Sequence, residues 1–320
     1  MFVVVIVVIA GCALIYFNSK FPADIPVENI KVELTPERIQ RGTYLVNNVS
    51  LCTDCHSERD WNYFSGPVKE EALGKGGEMF NEFIANVPGT IYAKNITPAG
   101  IADYSDGELL RVITTGLNKK GDALFPLMPY SHYRQMARED IYSIIAYLRT
   151  LKPIANEVPE RSLNFPMNLI VKTIPSPAAL IDAIPSKGDT LEYGKYMTTA
   201  AACDGCHSQR EKGEVIKGME FAGGFRFQFP NGDQIFTANI TPDVETGIGA
   251  LTKEAFIAKF KSFSDANPRI PTREHEKNTV MPWTRLSGMT EEDLGAIYTY
   301  LRTLAPVNNK VVTFRPRASL

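Results

Sequence analysis

The sequence predicts a mainly α-helical protein, with two homologous helical domains in tandem behind an amino-terminal membrane helix. Three observations predict this. Residues 1–17 carry no charge, the remainder repeats itself at a period of roughly 150 residues, and each repeat holds apolar residues at helical spacing between recognisable caps. With 320 residues, 44% hydrophobic and 22% charged, the chain can bury the cores of about two domains, which excludes a disordered or fibrous protein. Lys+Arg 34 against Asp+Glu 36 leaves a net charge of -2, so no polycationic field is present and nucleic acid is excluded as a partner.

The opening run MFVVVIVVIAGCALIYF, at about 1.5 Å per residue, is close to the lower length limit of a membrane-spanning helix. No Lys or Arg precedes it, so the basic start of a signal peptide is missing, and 1–18 reads as an uncleaved membrane anchor. Two other readings stay open. Ile9-Ala10-Gly11-Cys12 resembles a bacterial lipobox with Cys12 as a lipidated terminus, although Ala13 to Phe17 is apolar for a tether; the third reading is an ordinary buried helix. The first two put the rest of the chain in the periplasm, held at the bacterial inner membrane. Residues 19–35 contain Pro22 and Pro26 and no helical period, and read as a linker.

Four landmarks recur in order. Cys52-Thr53-Asp54-Cys55-His56 returns as Cys203-Asp204-Gly205-Cys206-His207, and Asn95-Ile96-Thr97-Pro98 as Asn239-Ile240-Thr241-Pro242. Met128-Pro129-Tyr130 returns as Met281-Pro282-Trp283, and Tyr147-Leu148-Arg149-Thr150-Leu151 as Tyr300-Leu301-Arg302-Thr303-Leu304. The order defines domains at 36–152 and 187–305, a proline-punctuated connector at 153–186 and a tail at 306–320. Ahead of the first cysteine motif, Pro36 to Val49 is predicted helical with Thr35 as N-cap; the counterpart begins near Asp189. Gly42 and Gly194 sit in step inside these helices, and a helical glycine costs about 1 kcal/mol against Ala, so a close helix crossing is expected at each. Further helices start at the capping-box pattern Ser105-Asp106-Gly107-Glu108 and at Thr252, and the last ones are Arg138–Leu151 and Glu291–Leu304. Strand is expected only in short pieces within Ala222–Ile235.

Cys-x-x-Cys-His is the attachment sequence for c-type haem, in which two thiols add to the porphyrin vinyl groups and the adjoining imidazole becomes the proximal iron ligand. Two copies in register, with Cys12 the only other cysteine, imply two covalently bound haems c on Cys52, Cys55, His56 and on Cys203, Cys206, His207. Paired redox dithiols, or a zinc site shared by both Cys-x-x-Cys units, are the competing readings; neither requires a His after each second Cys.

A distal ligand used in both halves must be present in both. His132 is matched by Arg285 and His275 by Asp122, so neither histidine passes. Met128 with Met281 and Met136 with Met289 do pass. The second pair directly precedes the last helix, where an apolar residue packs as a staple, so Met128 and Met281 are expected to ligate iron. His/Met ligation raises the potential relative to bis-His.

Asn95 and Asn239 suit either a contact with a haem propionate or a helix-preceding turn. Tyr130 and Trp283 suit the porphyrin face or the core. Asp54 and Asp204 read as solvated. Gly74-Lys75-Gly76-Gly77 lacks the rest of a phosphate loop and reads as a surface turn.

With these motifs in place, the chain resembles a membrane-anchored di-haem cytochrome c built of two class I cytochrome c-like domains. Each half is similar to the cytochrome domains of the multihaem subunits of periplasmic alcohol, gluconate and sorbitol dehydrogenases, which combine Cys-x-x-Cys-His, Asn-Ile-Thr-Pro, Gly-Ile-Gly, Met-Pro-Tyr and a closing Tyr-Leu helix. Those subunits commonly carry three haem domains and often a carboxy-terminal anchor. This chain has two and an amino-terminal one, an arrangement that also resembles the di-haem subunit of some cytochrome oxidases. Residues 100–102 read Gly-Ile-Ala in place of Gly-Ile-Gly, and Trp283 stands for Tyr.

The resemblance implies an electron carrier and not an enzyme. Its donor would be a dehydrogenase or quinol-oxidising complex, and its acceptor an oxidase or soluble cytochrome. The alternatives are a di-haem peroxidase, a thiosulfate-oxidising cytochrome or a gas sensor. An open iron, a distal cysteine or an output domain would mark these, and none is visible in the sequence.

Overall fold

A computed structural model describes residues 2–264 and 269–317. The chain is 38% helical and 10% strand, so the mainly helical expectation is met in part and a set of small sheets must be added.

In each half the helix leading into the cysteine motif crosses the last helix. Pro36–Tyr44 packs on Arg138–Thr150, and Thr190–Ala200 packs on Glu291–Leu301. The paired glycines make this possible. A Cβ on Gly42 would lie 1.9 Å from the Ser143 carbonyl oxygen and one on Gly194 2.0 Å from that of Ala296, so any larger residue would push the helices apart. The caps sit where the sequence put them. Thr35 accepts from the Arg38 amide at 3.3 Å, Asp189 from Glu192 at 3.2 Å and Thr252 from Ala255 at 3.2 Å. Ser105 and Glu108 exchange both bonds of a capping box. The first helix departs from expectation at its end, where Leu45–Val49 widens into a π-turn.

Leu45, Val46, Val49, Ile141, Ile144 and Ile145 from the first half share one buried cluster with Met197, Leu294, Ile297 and Leu301 from the second. Met136 and Met289 lie inside it, 0% and 1% exposed, as the apolar reading of that pair expects.

The sheets are the main correction. Antiparallel strands Met79–Asn81, Gly89–Tyr92 and Ser162–Leu163 form one sheet; Arg226–Gln228, Gln234–Phe236 and Phe314–Arg315 form its counterpart. A hairpin joins Arg210–Glu211 to Glu214–Val215. Strands of two to four residues are too short to display a period-two pattern, and their stability comes from long-range pairing that the sequence does not advertise. The connector and the tail each supply a third strand. The connector is further laced to the first half by Ala179 N–H to the Arg134 carbonyl at 2.9 Å and Arg138 N–H to that of Ile181 at 3.0 Å.

Phe2–Lys20 is one continuous helix. Among the described residues no helix is long and apolar enough to cross a membrane, and several side chains of this helix lie outside the described residues, so the structure does not carry the anchor reading of 1–18. The segment that follows lies along helix Asp106–Thr115. Val32 is buried and its amide donates to Asp106 at 2.8 Å, while Arg111 donates to the Ile25 carbonyl at 3.2 Å.

Candidate functional site

Each Cys-x-x-Cys-His motif opens with a non-glycine residue in the left-handed region, Leu51 at φ 56° and Ala202 at φ 50°, followed by one turn of helix, Cys52–Cys55 or Cys203–His207. The same uncommon backbone at both places marks it as part of how the motif is presented. That turn sets the two thiols of each pair three residues apart on one helix face. All four are unpaired, with Cys52 and Cys203 half-buried and Cys55 and Cys206 exposed.

The histidines are held identically. His56 Nδ1 lies 2.6 Å from the Lys94 carbonyl oxygen and His207 Nδ1 lies 2.7 Å from that of Ala238. A carbonyl only accepts, so Nδ1 carries the proton in both rings and Nε2 is left with its lone pair. Desolvation holds both imidazoles below the ordinary histidine range and favours the neutral, ligating form.

The carbonyls of the same histidines accept in turn, from Gly76 N–H at 2.8 Å and Gly223 N–H at 2.6 Å. Both glycines have φ of +73°, and a Cβ on either would come within 2.6 Å of the backbone at Lys94–Asn95 or Thr237–Ala238. Gly74–Gly77 is therefore not a surface turn; it is folded against His56. Ser57 and Ser208, both 0% exposed, brace the same loops by accepting from the amides of Gly74 and Phe221. A serine follows the histidine in both motifs, a repeat signal that the sequence analysis did not use.

Met128 and Met281 are half-buried against the core. Each opens a tight turn in which the N–H of the following aromatic, Tyr130 or Trp283, donates to the methionine carbonyl at 2.8 Å across a proline at φ -81° or -82°. The two loops thus share one shape.

Two expectations are corrected and one is resolved. Asp54 is not solvated: it is 4% exposed and pairs with Arg59 at 3.1 Å. Desolvation raises its pKa against the pull of Arg59 and of Arg285 from the other half. Asp204 is partly covered and receives His132 Nε2 at 2.7 Å, again from the other half. His132 is excluded as a ligand because Arg285 stands at its matching position; the two residues at these equivalent positions act on Asp204 and Asp54 of the opposite half's cysteine motif. Asn95 and Asn239 are turn residues. Each accepts from the amide and hydroxyl of Thr97 or Thr241, and each Nδ2 donates to a carbonyl beyond the last helix, Ile154 or Val307.

Among the described residues no three His, Cys, Asp or Glu converge on a common metal position, so the two Cys pairs do not form a shared zinc site. Two free thiols on one helical turn beside an imidazole with a committed Nδ1 and a free Nε2 is the donor set that c-type haem requires.

No protein-family model matches the chain. Curated relatives do. Over 283 residues it is 26% identical to the cytochrome c subunit of the quinone alcohol dehydrogenase of Gluconacetobacter polyoxogenes, covering 84% of this chain and 56% of the relative. Over most of its length the chain is thus similar to cytochrome c subunits of alcohol, fructose and gluconate dehydrogenases. The fructose dehydrogenase cytochrome subunit of Gluconobacter japonicus is 26% identical over 299 residues, 87% of this chain and 55% of the relative. A diheme cytochrome c-type protein of Cereibacter sphaeroides is 28% identical over 203 residues, 60% of this chain and 63% of that one. The chain spans about half the length of the dehydrogenase subunits it matches.

Proposed function

We propose that this chain is a di-haem c-type cytochrome that passes single electrons from a dehydrogenase or quinol-oxidising complex to an oxidase or soluble cytochrome. The observation that carries the reading is the doubled proximal arrangement, with each histidine's Nδ1–H fixed on a backbone carbonyl directly beside two free thiols. Bound haem supplies a one-electron iron couple. Cys52 and Cys55 hold one group and Cys203 and Cys206 the other. His56 and His207 would hold iron through Nε2, and Met128 and Met281 would hold it through their thioethers. The Lys94 and Ala238 carbonyls fix the orientation of the rings and raise their basicity. With a histidine and a methionine to hold each iron, the group would supply electron transfer without bond-making.

Two domains, 36–152 and 187–305, each carry one haem. The uncharged run of residues 1–17 supports an anchor in the bacterial inner membrane, with both domains periplasmic. The relatives' names support a dehydrogenase as partner.

Pyridine haemochrome analysis of the full chain tests the cofactor count. Two haems per chain are expected, and one after replacing both Cys203 and Cys206 by Ala; an unchanged count in that variant would remove the second site. A carbon monoxide difference spectrum of the reduced protein tests the closed irons. Stoichiometric binding at one haem within the mixing time, as at an iron with no methionine to displace, would overturn the carrier reading in favour of a redox enzyme. Deleting residues 1–18 should release the protein from carbonate-washed membranes.

A further inference from the structure

The loop that follows the first cysteine motif does not stay in its own half. Its tip, Ser65, is 1% exposed and sits at φ 69°. All of its polar groups are engaged. The amide donates to Asn278 Oδ1 at 2.9 Å, the hydroxyl donates to the Met281 carbonyl at 2.6 Å, and the same hydroxyl accepts from the Trp283 amide at 2.9 Å. One side chain from the first half thus grips both ends of the Met281-Pro282-Trp283 turn in the second.

The grip is anchored from behind. Arg59 donates to the carbonyls of Ser65 at 2.6 Å and Gly66 at 2.8 Å, and pairs with the buried Asp54 inside the first cysteine motif. Backbone bonds from Phe64 N–H to the Ile270 carbonyl and from Thr272 N–H to the Asn62 carbonyl, both 2.8 Å, fasten the rest of the loop. Among the described residues the first half has no equivalent. Arg210, which matches Arg59, donates to Gly213 within its own short hairpin, and among the described residues no side chain of the second half grips Met128-Pro129-Tyr130.

We propose that Ser65 is a positioning residue for the second haem: it holds Met281 in place as distal ligand from across the interface. The proposal rests on the assignment of Met281 made above. A methionine thioether is a weak, displaceable ligand, so its hold on iron depends on the rigidity of the loop that presents it. Fixing both ends of the turn from a separate body limits the excursions that would open the iron. The two haems therefore differ in lability, with the distal ligand of the second the harder to displace.

The test uses the full, haem-loaded chain. Ser65→Gly is the sharpest variant, because glycine accepts the left-handed backbone and keeps the amide bond to Asn278 while removing the hydroxymethyl side chain. Ser65→Ala is the second variant should the first not accumulate. Two readouts follow the second haem: the methionine-to-ferric-iron charge-transfer band, and the rate of carbon monoxide binding after reduction. Met281→Ala should remove part of the band. Ser65→Gly should retain two haems, lose the band at lower pH than wild type, and bind carbon monoxide about tenfold faster at one haem, the size expected from losing one or two net hydrogen bonds. In a Met281→Ala background Ser65→Gly should add nothing.

Tyr44→Phe controls for general weakening of the interface. If it speeds carbon monoxide binding as much as Ser65→Gly does, or if Ser65→Gly affects both haems alike or neither, the positioning role is overturned. If Met281→Ala leaves the band intact, Met281 is not the ligand and the earlier assignment falls with this one.

Discussion

The hydroxyl of Tyr44 donates to the carboxylate of Asp293, 249 residues further along the chain. The second half returns the contact, since Tyr196, the repeat equivalent of Tyr44, donates to Asp140, the equivalent of Asp293. Each aspartate lies in the first turn of its half's last helix, where the positive end of the helix dipole favours it. Each is fully buried and also takes a bond from its own half, Asp140 from Arg41 at 2.7 Å and Asp293 from Tyr193 at 2.9 Å. The halves are thereby joined by an exchanged pair of hydrogen bonds around an approximate two-fold relation.

Removing one exchanged bond leaves a buried carboxylate short of a donor. Tyr44→Phe and Tyr196→Phe should each cost about 1.5–3 kcal/mol, the range for hydrogen bonds to charged groups. The aspartates are separate, so the double variant should be close to additive. Urea unfolding of the haem-loaded protein measures this, and a loss under half a kilocalorie in both would show the contacts to be incidental.

The helix crossings make a steric prediction. Gly42→Ala and Gly194→Ala place a methyl about 2 Å from a carbonyl oxygen in the partner helix, so each should destabilise by about 1–3 kcal/mol or more. Gly188→Ala meets nothing nearer than 3.4 Å and should be nearly silent in the same thermal melts.

Asn95 supports a turn. Asn95→Ala removes the acceptor of the Thr97 amide and hydroxyl and the donor to Ile154, and should lower stability by about 1–3 kcal/mol. The reduced haem spectrum and the potentials should not change; a shifted potential would restore the propionate contact.

Asp233 gives a pH dependence away from the haem motifs. Burial works against its charge, but bonds from His275, the Arg317 amide and Asn231 outweigh burial and hold the carboxyl below the usual range. A depressed folded value means that its stabilisation is complete above the unfolded carboxylate pKa of about 3.9 and is lost as pH falls through the folded value. Asp233→Asn should thus be less stable than wild type near pH 7, and the gap should close in acid. A gap that is the same at pH 7 and pH 3 would count against this role of the Asp233 carboxylate.

Much of the candidate site was legible because the chain can be compared with itself. Cysteines, histidines, the Met-Pro turns and the in-step glycines all recur, and a feature found twice is hard to attribute to chance. Asp54 and Asp204 were misread because their partners, Arg59 and His132, follow no shared spacing. Gly74–Gly77 was misread because its role depends on a backbone approach to Asn95 that leaves no mark in composition. The strands at Met79–Asn81 and Gly89–Tyr92 were missed because they are too brief for a pattern.

The sequence by itself determined the two repeats, the Cys-x-x-Cys-His motifs, the helices with their caps and the glycines at the crossings. These are local: each is decided by residues within a few positions of one another, where dihedral preference and side-chain spacing act directly. Tertiary structure alone decided that Ser65 meets Met281, that Arg285 acts on Asp54 and that Tyr44 reaches Asp293. Such pairs form only after two apolar faces have fused into one core. Hydrophobic burial drives that fusion without specifying direction, and the polar partners are set by the docking angle of the two halves, which no spacing along the chain records.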